Sequence, residues 1–246
     1  MTNPVLTRPS FAELLARDGF AFVHAAEMGS VLDANGMQGW AAFAASWDDL
    51  GLDTYMADGG RYRRRRHAAF AATADGITRK PHQPHYQSRD YNLLNGGIAR
   101  WFDPVSDEVG DSAALNAILG TCHHLFATLP PIPDPWHVEV HQFRIEAQPG
   151  VQGRPTPEGM HRDGVDWVLV LMIRRENIAS GETTIHDLDR RPLGSFTLAL
   201  PMDAAWVDDS RVFHGVTPVE PRDPAAPAFR DVLVVTFRKE RPGAGR

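Results

Sequence analysis

The stretch PPIPDP, residues 130–135, divides this chain into two differently patterned parts. Four prolines in six residues cannot carry a helix or supply the N–H groups of a sheet ladder. The runs on either side must therefore be built separately. Before the block, SFAELLARDGFAFV opens with Ser10 and Glu13 at capping-box spacing, continues as an apolar helical face, and turns at Asp18-Gly19 into a short strand. MGSVLDANGMQGWAAFAASWDDLGL reads as one or two further helices broken near Gly36, and DSAALNAILGTCHHLFATL as an amphipathic helix ended by the prolines. After the block come WHVEVHQFRIEA, VDWVLVLMI, ETTIHDL, SFTLAL, AWVD, RVFHGVTPV and RDVLVVTFRK. These runs are short, β-branched and aromatic, and bounded by Gly, Pro or Asp, with no long helix between them. This pattern predicts an antiparallel sandwich or barrel rather than a parallel sheet. The expected organisation is one domain over residues 1–246, helix-rich over 1–130, with the β strands over about 136–239. The tail RPGAGR is expected to fray.

Composition removes several function classes. A net charge of −6 argues against a nucleic-acid binder that works through its overall field. The single cysteine, Cys122, excludes an intrachain disulfide and a cysteine zinc cluster, and fits a reducing cytoplasm. The N-terminal residues lack the basic and apolar regions of a signal peptide, and no apolar run reaches the length of a membrane span. The expected partner is a small molecule, with the oligomeric state left open.

The segment EGMHRDGVDW places His161 and Asp163 two positions apart, just ahead of an apolar strand. On an extended backbone, residues i and i+2 project to one side, so both can face one metal ion. The later run RVFHGVTPV carries His214, which a barrel can return to the same point. Two imidazoles and a carboxylate leave coordination positions open for substrate and O₂, as in non-haem Fe(II) oxygenases. Zinc hydrolases use similar sets, so the triad alone does not fix the metal. Arg230 heads the otherwise apolar last strand. It reads either as a surface residue at a strand end or as a bidentate carboxylate anchor in the barrel mouth.

Taken together, these residues resemble the Fe(II)/2-oxoglutarate-dependent dioxygenases. GMHRDGVDWVLVLMIRRENIASGETTIHD, HGVTPV and RDVLVVTF, with the upstream YMADGGRYRRRRHAAF, HYQSRDYNLLNGGIARWFDP and VEVHQFRI, are similar to the bacterial branch typified by isoleucine 4-hydroxylases. The resemblance spans roughly Tyr55 to Arg238. It implies a double-stranded β-helix, or jelly roll, flanked by N-terminal helices. It also implies Fe(II) on His161, Asp163 and His214, with 2-oxoglutarate and O₂ as co-substrates and Arg230 on the far carboxylate of 2-oxoglutarate. The activity implied is hydroxylation of a free L-amino acid, with succinate and CO₂ as co-products. Many of these enzymes carry a hydroxyl residue two positions after the arginine, whereas this chain has Val232. Arg222 is a rival anchor, but it sits in the proline-rich EPRDPAAP.

A free amino acid brings a carboxylate and an ammonium, and burying either without a partner is costly. Arg144, in VHQFRIEA, is the sequence candidate for the substrate carboxylate. Several other groups have bland readings. His137 and His141 lie in a strand, His82 and His85 in a loop, and His123 and His124 on a helix. His186 with Asp187 or Asp189 forms a rival ligand pair, and Arg63 to Arg66 suggest local salt bridges more than a polyanion site. The alternative function is a non-catalytic or regulatory metal-binding barrel linked to stress response. A cupin-type enzyme without 2-oxoglutarate fits less well, because its pattern calls for a second histidine in place of Asp163.

Overall fold

The structure is a computed structural model that describes residues 10–92, 94, 96–129 and 135–240. The tail beyond Glu240 and the first five residues of the proline block lie outside them. Helix α1 (Phe11–Asp18) starts on the expected box, in which Ser10 accepts from the Glu13 N–H and Glu13 accepts from the Ser10 N–H. Gly19 ends it at φ 80°, a left-handed conformation that favours glycine, and the chain enters β1 (Phe20–Val23). Helices α2 (Ala25–Ala34) and α3 (Trp40–Ala45) and a 3-10 turn (Ser46–Asp49) follow. Beyond them lie β2 (Arg63–Thr73), β3 (Gly76–Arg79), β4 (His85–Tyr86), β5 (Ala99–Arg100), α4 (Asp107–Gly110) and α5 (Ala113–Phe126). The strands after the proline block are β6 (Trp136–Ala147), β7 (Trp167–Glu176), β8 (Ile178–Ser180), β9 (Thr183–His186), β10 (Pro192–Phe196), β11 (Ala204–Asp208), β12 (Phe213–Val216), β13 (Val219–Pro221) and β14 (Ala228–Lys239).

These strands form the expected jelly roll. A seven-stranded antiparallel sheet runs β1-β11-β7-β14-β6-β2-β3, faced by the smaller sheet β10-β9-β12 and the pairs β13-β8 and β4-β5. The long central strands carry the alternation that splits the large sheet into two faces. On one face, Val138 and Val140 of β6, Leu169 and Leu171 of β7, and Leu233, Val235 and Phe237 of β14 join the main core. Helical residues such as Leu15, Leu32, Trp47, Leu115, Ile118 and Phe126 cover that face. The intervening residues, Glu139, His141, Phe143, Val168, Val170, Arg230, Val232 and Val234, line a cavity of about 830 Å³ inside the roll.

The structure differs from the sequence reading in three places. The helix-rich front also gives β1, β2 and β3 to the large sheet. The arginine run is the start of β2: Arg64 and Arg66 reach Glu146 and Asp49, both at 2.7 Å, while Arg63 and Arg65 turn into the cavity. Four consecutive arginines hide the period-two pattern, because every position is charged whichever way it faces. The run SFTLAL pairs only at its start, within β10, and RVFHGVTPV divides into β12 and β13 about Thr217-Pro218.

Candidate active site

An antiparallel bridge joins His161 to His214, with N–H to O distances of 2.9 Å in both directions. The bridge sets the two imidazoles side by side, with ring centroids 4.5 Å apart. Asp163 lies between them: its Oδ1 is 3.5 Å from His161 Nε2 and its Oδ2 3.6 Å from His214 Nε2. One donor atom from each of the three falls within 4.8 Å of the others, close enough for one ion at ordinary bond lengths of about 2.0–2.2 Å. The tautomer fits as well. His161 Nδ1 donates to the Gly159 carbonyl at 3.1 Å, which leaves Nε2 as the free ligand atom. Burial opposes protonation of His161, but the Asp163 hydrogen bond and the charges of Asp163 and Glu158 outweigh it and push the pKa to about 9. Burial and the neighbouring His161 bring His214 down to about 4. Burial works against the Asp163 carboxylate, yet the two imidazoles hold it well below the carboxylate range. An ion at this point competes with the His161 proton, so metal loading is favoured by raising pH.

Asp209, which the sequence reading missed, fixes the turn after the ligand pair. Its buried carboxylate accepts from the N–H groups of Asp163, Gly164 and Val165 at 2.8, 2.7 and 3.1 Å. Burial and the charge of Asp163 raise its pKa to about 7. Gly164 has φ +79° and a Cβ there would lie 2.4 Å from the Tyr91 ring, so this position requires glycine. Gln87 adds a clamp from the same segment as Tyr91, donating to the Asp163 carbonyl at 3.0 Å.

Arg230 lines the same cavity and is 2% exposed. Its Nε is buried without an acceptor, and its guanidinium forms no hydrogen bond or ion pair among the described residues. Burial and then the charge of Arg175 lower its pKa to about 10, so it remains a cation at neutral pH. A buried cation without an anion is costly, and a carboxylate in the cavity relieves the cost. The rival Arg222 is exposed, donates to the Ile178 carbonyl at 2.9 Å, and does not line the cavity. Val232, at the position where a hydroxyl was expected from the resemblance, is a buried part of the cavity wall.

The family model for "2OG-Fe dioxygenase" matches residues 44–236. The chain belongs to the 2OG-Fe dioxygenase family. As a 2OG-Fe dioxygenase it uses Fe(II), 2-oxoglutarate and O₂. It is 26% identical to the 3(1)-hydroxy-L-isoleucine 4-dioxygenase of Pantoea ananatis over 198 residues, which cover 78% of each chain. It is 28% identical to the L-isoleucine-4-hydroxylase of Bacillus thuringiensis over 157 residues, 62% of this chain and 64% of that one. Among solved structures, a bsmA homologue from Methylobium petroleophilum PM1 superposes with a TM-score of 0.84 at 36% identity, covering 95% of this chain and 94% of the other.

In this 2OG-Fe dioxygenase Arg144 is not where the sequence reading expected it. It belongs to the opposite face of β6, where its guanidinium donates to Asp231 at 2.7 and 2.8 Å and to Asp48 at 2.9 Å, outside the cavity. The expected role at a substrate carboxylate does not fit that position. The rival Asp187 and Asp189 are occupied by Arg191. His82 packs edge-on against Trp101, 5.3 Å between centroids.

The cavity holds a second cluster that none of the separate histidine readings assembled. Glu139, 9% exposed, lies 2.8 Å from His85 Nδ1, 3.4 Å from His137 Nε2, and 3.6 Å from both His67 Nε2 and His141 Nε2. His67, His85, Glu139 and His141 are close enough to hold an ion. One contact speaks against that use. Arg65 lies 2.7 Å from His141 Nδ1 as an obligatory donor, so a neutral His141 keeps its hydrogen on Nε2, facing Glu139. Burial lowers the pKa of His67, of His141 and of His85, the last to about 4. Burial opposes the Glu139 carboxylate, but the surrounding imidazoles outweigh it, so Glu139 stays ionised. The signal was present in the sequence as His137, Glu139 and His141 at i, i+2, i+4 on one strand face. It was obscured because His67 and His85 come from distant segments.

No helix among the described residues is long and apolar enough to cross a membrane.

Proposed function

We propose that this chain hydroxylates a free L-amino acid or a close relative, consuming 2-oxoglutarate and O₂ and releasing succinate and CO₂. The observation that carries the reading is the pairing, in one cavity, of the His161–Asp163–His214 cluster with Arg230, a buried cation lacking an anion. His161, Asp163 and His214 would hold the iron, and Arg230 would hold the C5 carboxylate of 2-oxoglutarate by a bidentate, charge-assisted pair. Bound together, iron and 2-oxoglutarate would activate O₂, the oxidant, with 2-oxoglutarate contributing two electrons as it becomes succinate and CO₂. The chain's own part is placement. Asp209 fixes the ligand turn, Gln87 and Tyr91 close over it, and the valines of β7 and β14 give the cavity an apolar wall. The amino-acid class is supported by the activities named for the Pantoea and Bacillus relatives. A regulatory barrel without catalysis has no use for a buried, unpaired Arg230.

The test is succinate release from 2-oxoglutarate, with Fe(II) and ascorbate, across the twenty amino acids. The reading expects at least one amino acid to raise succinate well above the substrate-free rate and to yield a product heavier by one oxygen. Absence of both across the panel contradicts it.

A further inference from the structure

Arg230 is not alone in lacking an anion. Arg100, on β5, is 2% exposed and lines the same cavity. Its Nε is buried without an acceptor, and its guanidinium forms no hydrogen bond or ion pair among the described residues. The other buried arginines of the cavity, Arg63 and Arg65, are engaged. Arg63 is bound by Asp53 at 2.7 Å, while Arg65 contacts His141 and lies between Phe102 and Phe143, 3.6 and 4.4 Å from their ring centroids. Under the proposed function, 2-oxoglutarate brings one carboxylate to the metal and one to Arg230. Arg100 is left requiring a third carboxylate.

Glu139 presents the complementary problem. Among the described residues its charge contacts within 4 Å are imidazoles, of which His67, His85 and His141 are pushed toward the neutral form by burial, and no lysine or arginine pairs with it. The two unpaired charges are also held in fixed relation. His85 is the register partner of Arg100 in the β4-β5 pair, and the same His85 contacts Glu139 at 2.8 Å. The β5 cation is thereby fastened near the β6 anion without an ion pair between them. A ligand carrying a carboxylate and an ammonium satisfies both charges at once, and a singly charged ligand strands one of them.

We infer that Arg100 and Glu139 receive the carboxylate and the ammonium of one zwitterionic α-amino acid, so that the site selects free amino acids over amines, esters and peptide-embedded residues; this rests on the amino-acid reading proposed above. Arg100 takes the place that the sequence assigned to Arg144.

The experiment uses Fe(II)-loaded full-length protein with saturating 2-oxoglutarate and no oxygen. The probe is L-isoleucine, replaced by whichever panel amino acid gives the most succinate if that is another. Calorimetric titration compares it with its decarboxylated amine and its deaminated acid. Arg100→Met is expected to weaken amino-acid binding by about tenfold to a hundredfold, to leave the amine unaffected, and to leave 2-oxoglutarate affinity near the parent value. Glu139→Gln is expected to weaken the amino acid by a similar factor and to leave the deaminated acid unaffected. Amino-acid affinities unchanged in both variants overturn the inference while the oxygenase reading stands. An equal loss for all three probes marks a general disturbance of the site and also overturns it. A second bound metal equivalent in the parent, lost in Glu139→Gln, assigns the cluster to an ion instead. If the parent produces no succinate with any amino acid, the functional reading falls and takes this inference with it.

Discussion

Two neighbouring charges on opposite faces of the large sheet, Asp231 and Arg230, are handled in opposite ways. On the helix-covered face, at one end of the strands, Asp231 is fully buried and accepts from Arg144 and Arg174, which also reach Asp48. Every charge there has a partner. On the cavity face, one residue away along β14, Arg230 is buried with none among the described residues, and Arg100 repeats the situation across the cavity. Since buried charges are tolerated when paired and costly when not, the first network belongs to the fold and the second to ligands. Burial alone does not assign Arg144, part-buried, to the fold and Arg230, fully buried, to a ligand. Satisfaction of the guanidinium does.

The hardest test of that division removes the metal cluster. Asp163→Ala takes away the carboxylate between His161 and His214, and iron binding and succinate formation should fall to background while the thermal unfolding profile keeps its cooperative shape. An active, iron-retaining Asp163→Ala protein would contradict the site. The next test works on the other face. Asp231→Ala removes the buried one of the two carboxylates that hold Arg144 and Arg174, leaving them Asp48, and should lower stability by about 1.5–3 kcal/mol in denaturant unfolding, the range for lost hydrogen bonds to a charged group. The fraction that remains folded should bind 2-oxoglutarate as the parent does, and a large loss of that affinity would mean the two faces are not separate.

The chain made the fold more legible than the site. The proline block and the period-two runs lead to an antiparallel roll, and Ser10 and Gly19 mark helix ends where the structure has them. The strand Arg63–Thr73 was hidden because its first half carries charge on both faces and its second half is largely alanine, neither of which alternates. His161, Asp163 and His214 stood out because their spacing and types follow from ligand chemistry. The Glu139 cluster did not, because His67 and His85 join it from distant segments, and Arg100 did not, because a missing partner is visible only once the chain is folded. Arg144 was misplaced by a single step of strand parity: it shares β6 with Glu139 but projects to the other face.

A smaller effect probes how the Glu139 cluster is held. His85 has a folded pKa of about 4 against an ordinary value of 6.5, with burial as the main cause. The unfolded chain therefore binds the extra proton, and this group's contribution is present above pH 6.5 and lost as pH falls toward 4. Between pH 7 and 5.5 the parent should lose about 1 kcal/mol more than His85→Gln, read from denaturant midpoints at the two pH values. Equal losses in the two proteins would mean that His85 is not held neutral in the folded state.

The most direct measurement of the central claim is an oxygen-free titration of 2-oxoglutarate into the iron-loaded protein. The parent should bind. Arg230→Ala should weaken binding by a factor between about ten and a few thousand, from the loss of a charged hydrogen bond and the stranding of a buried carboxylate. Arg230→Lys should fall between them, because an ammonium cannot reproduce the bidentate fork. Iron affinity should be nearly unchanged throughout, and Arg222→Ala should match the parent. Undiminished affinity in Arg230→Ala, or a parent that binds iron but no 2-oxoglutarate at millimolar concentration, would contradict the reading of the unpaired cations as ligand anchors.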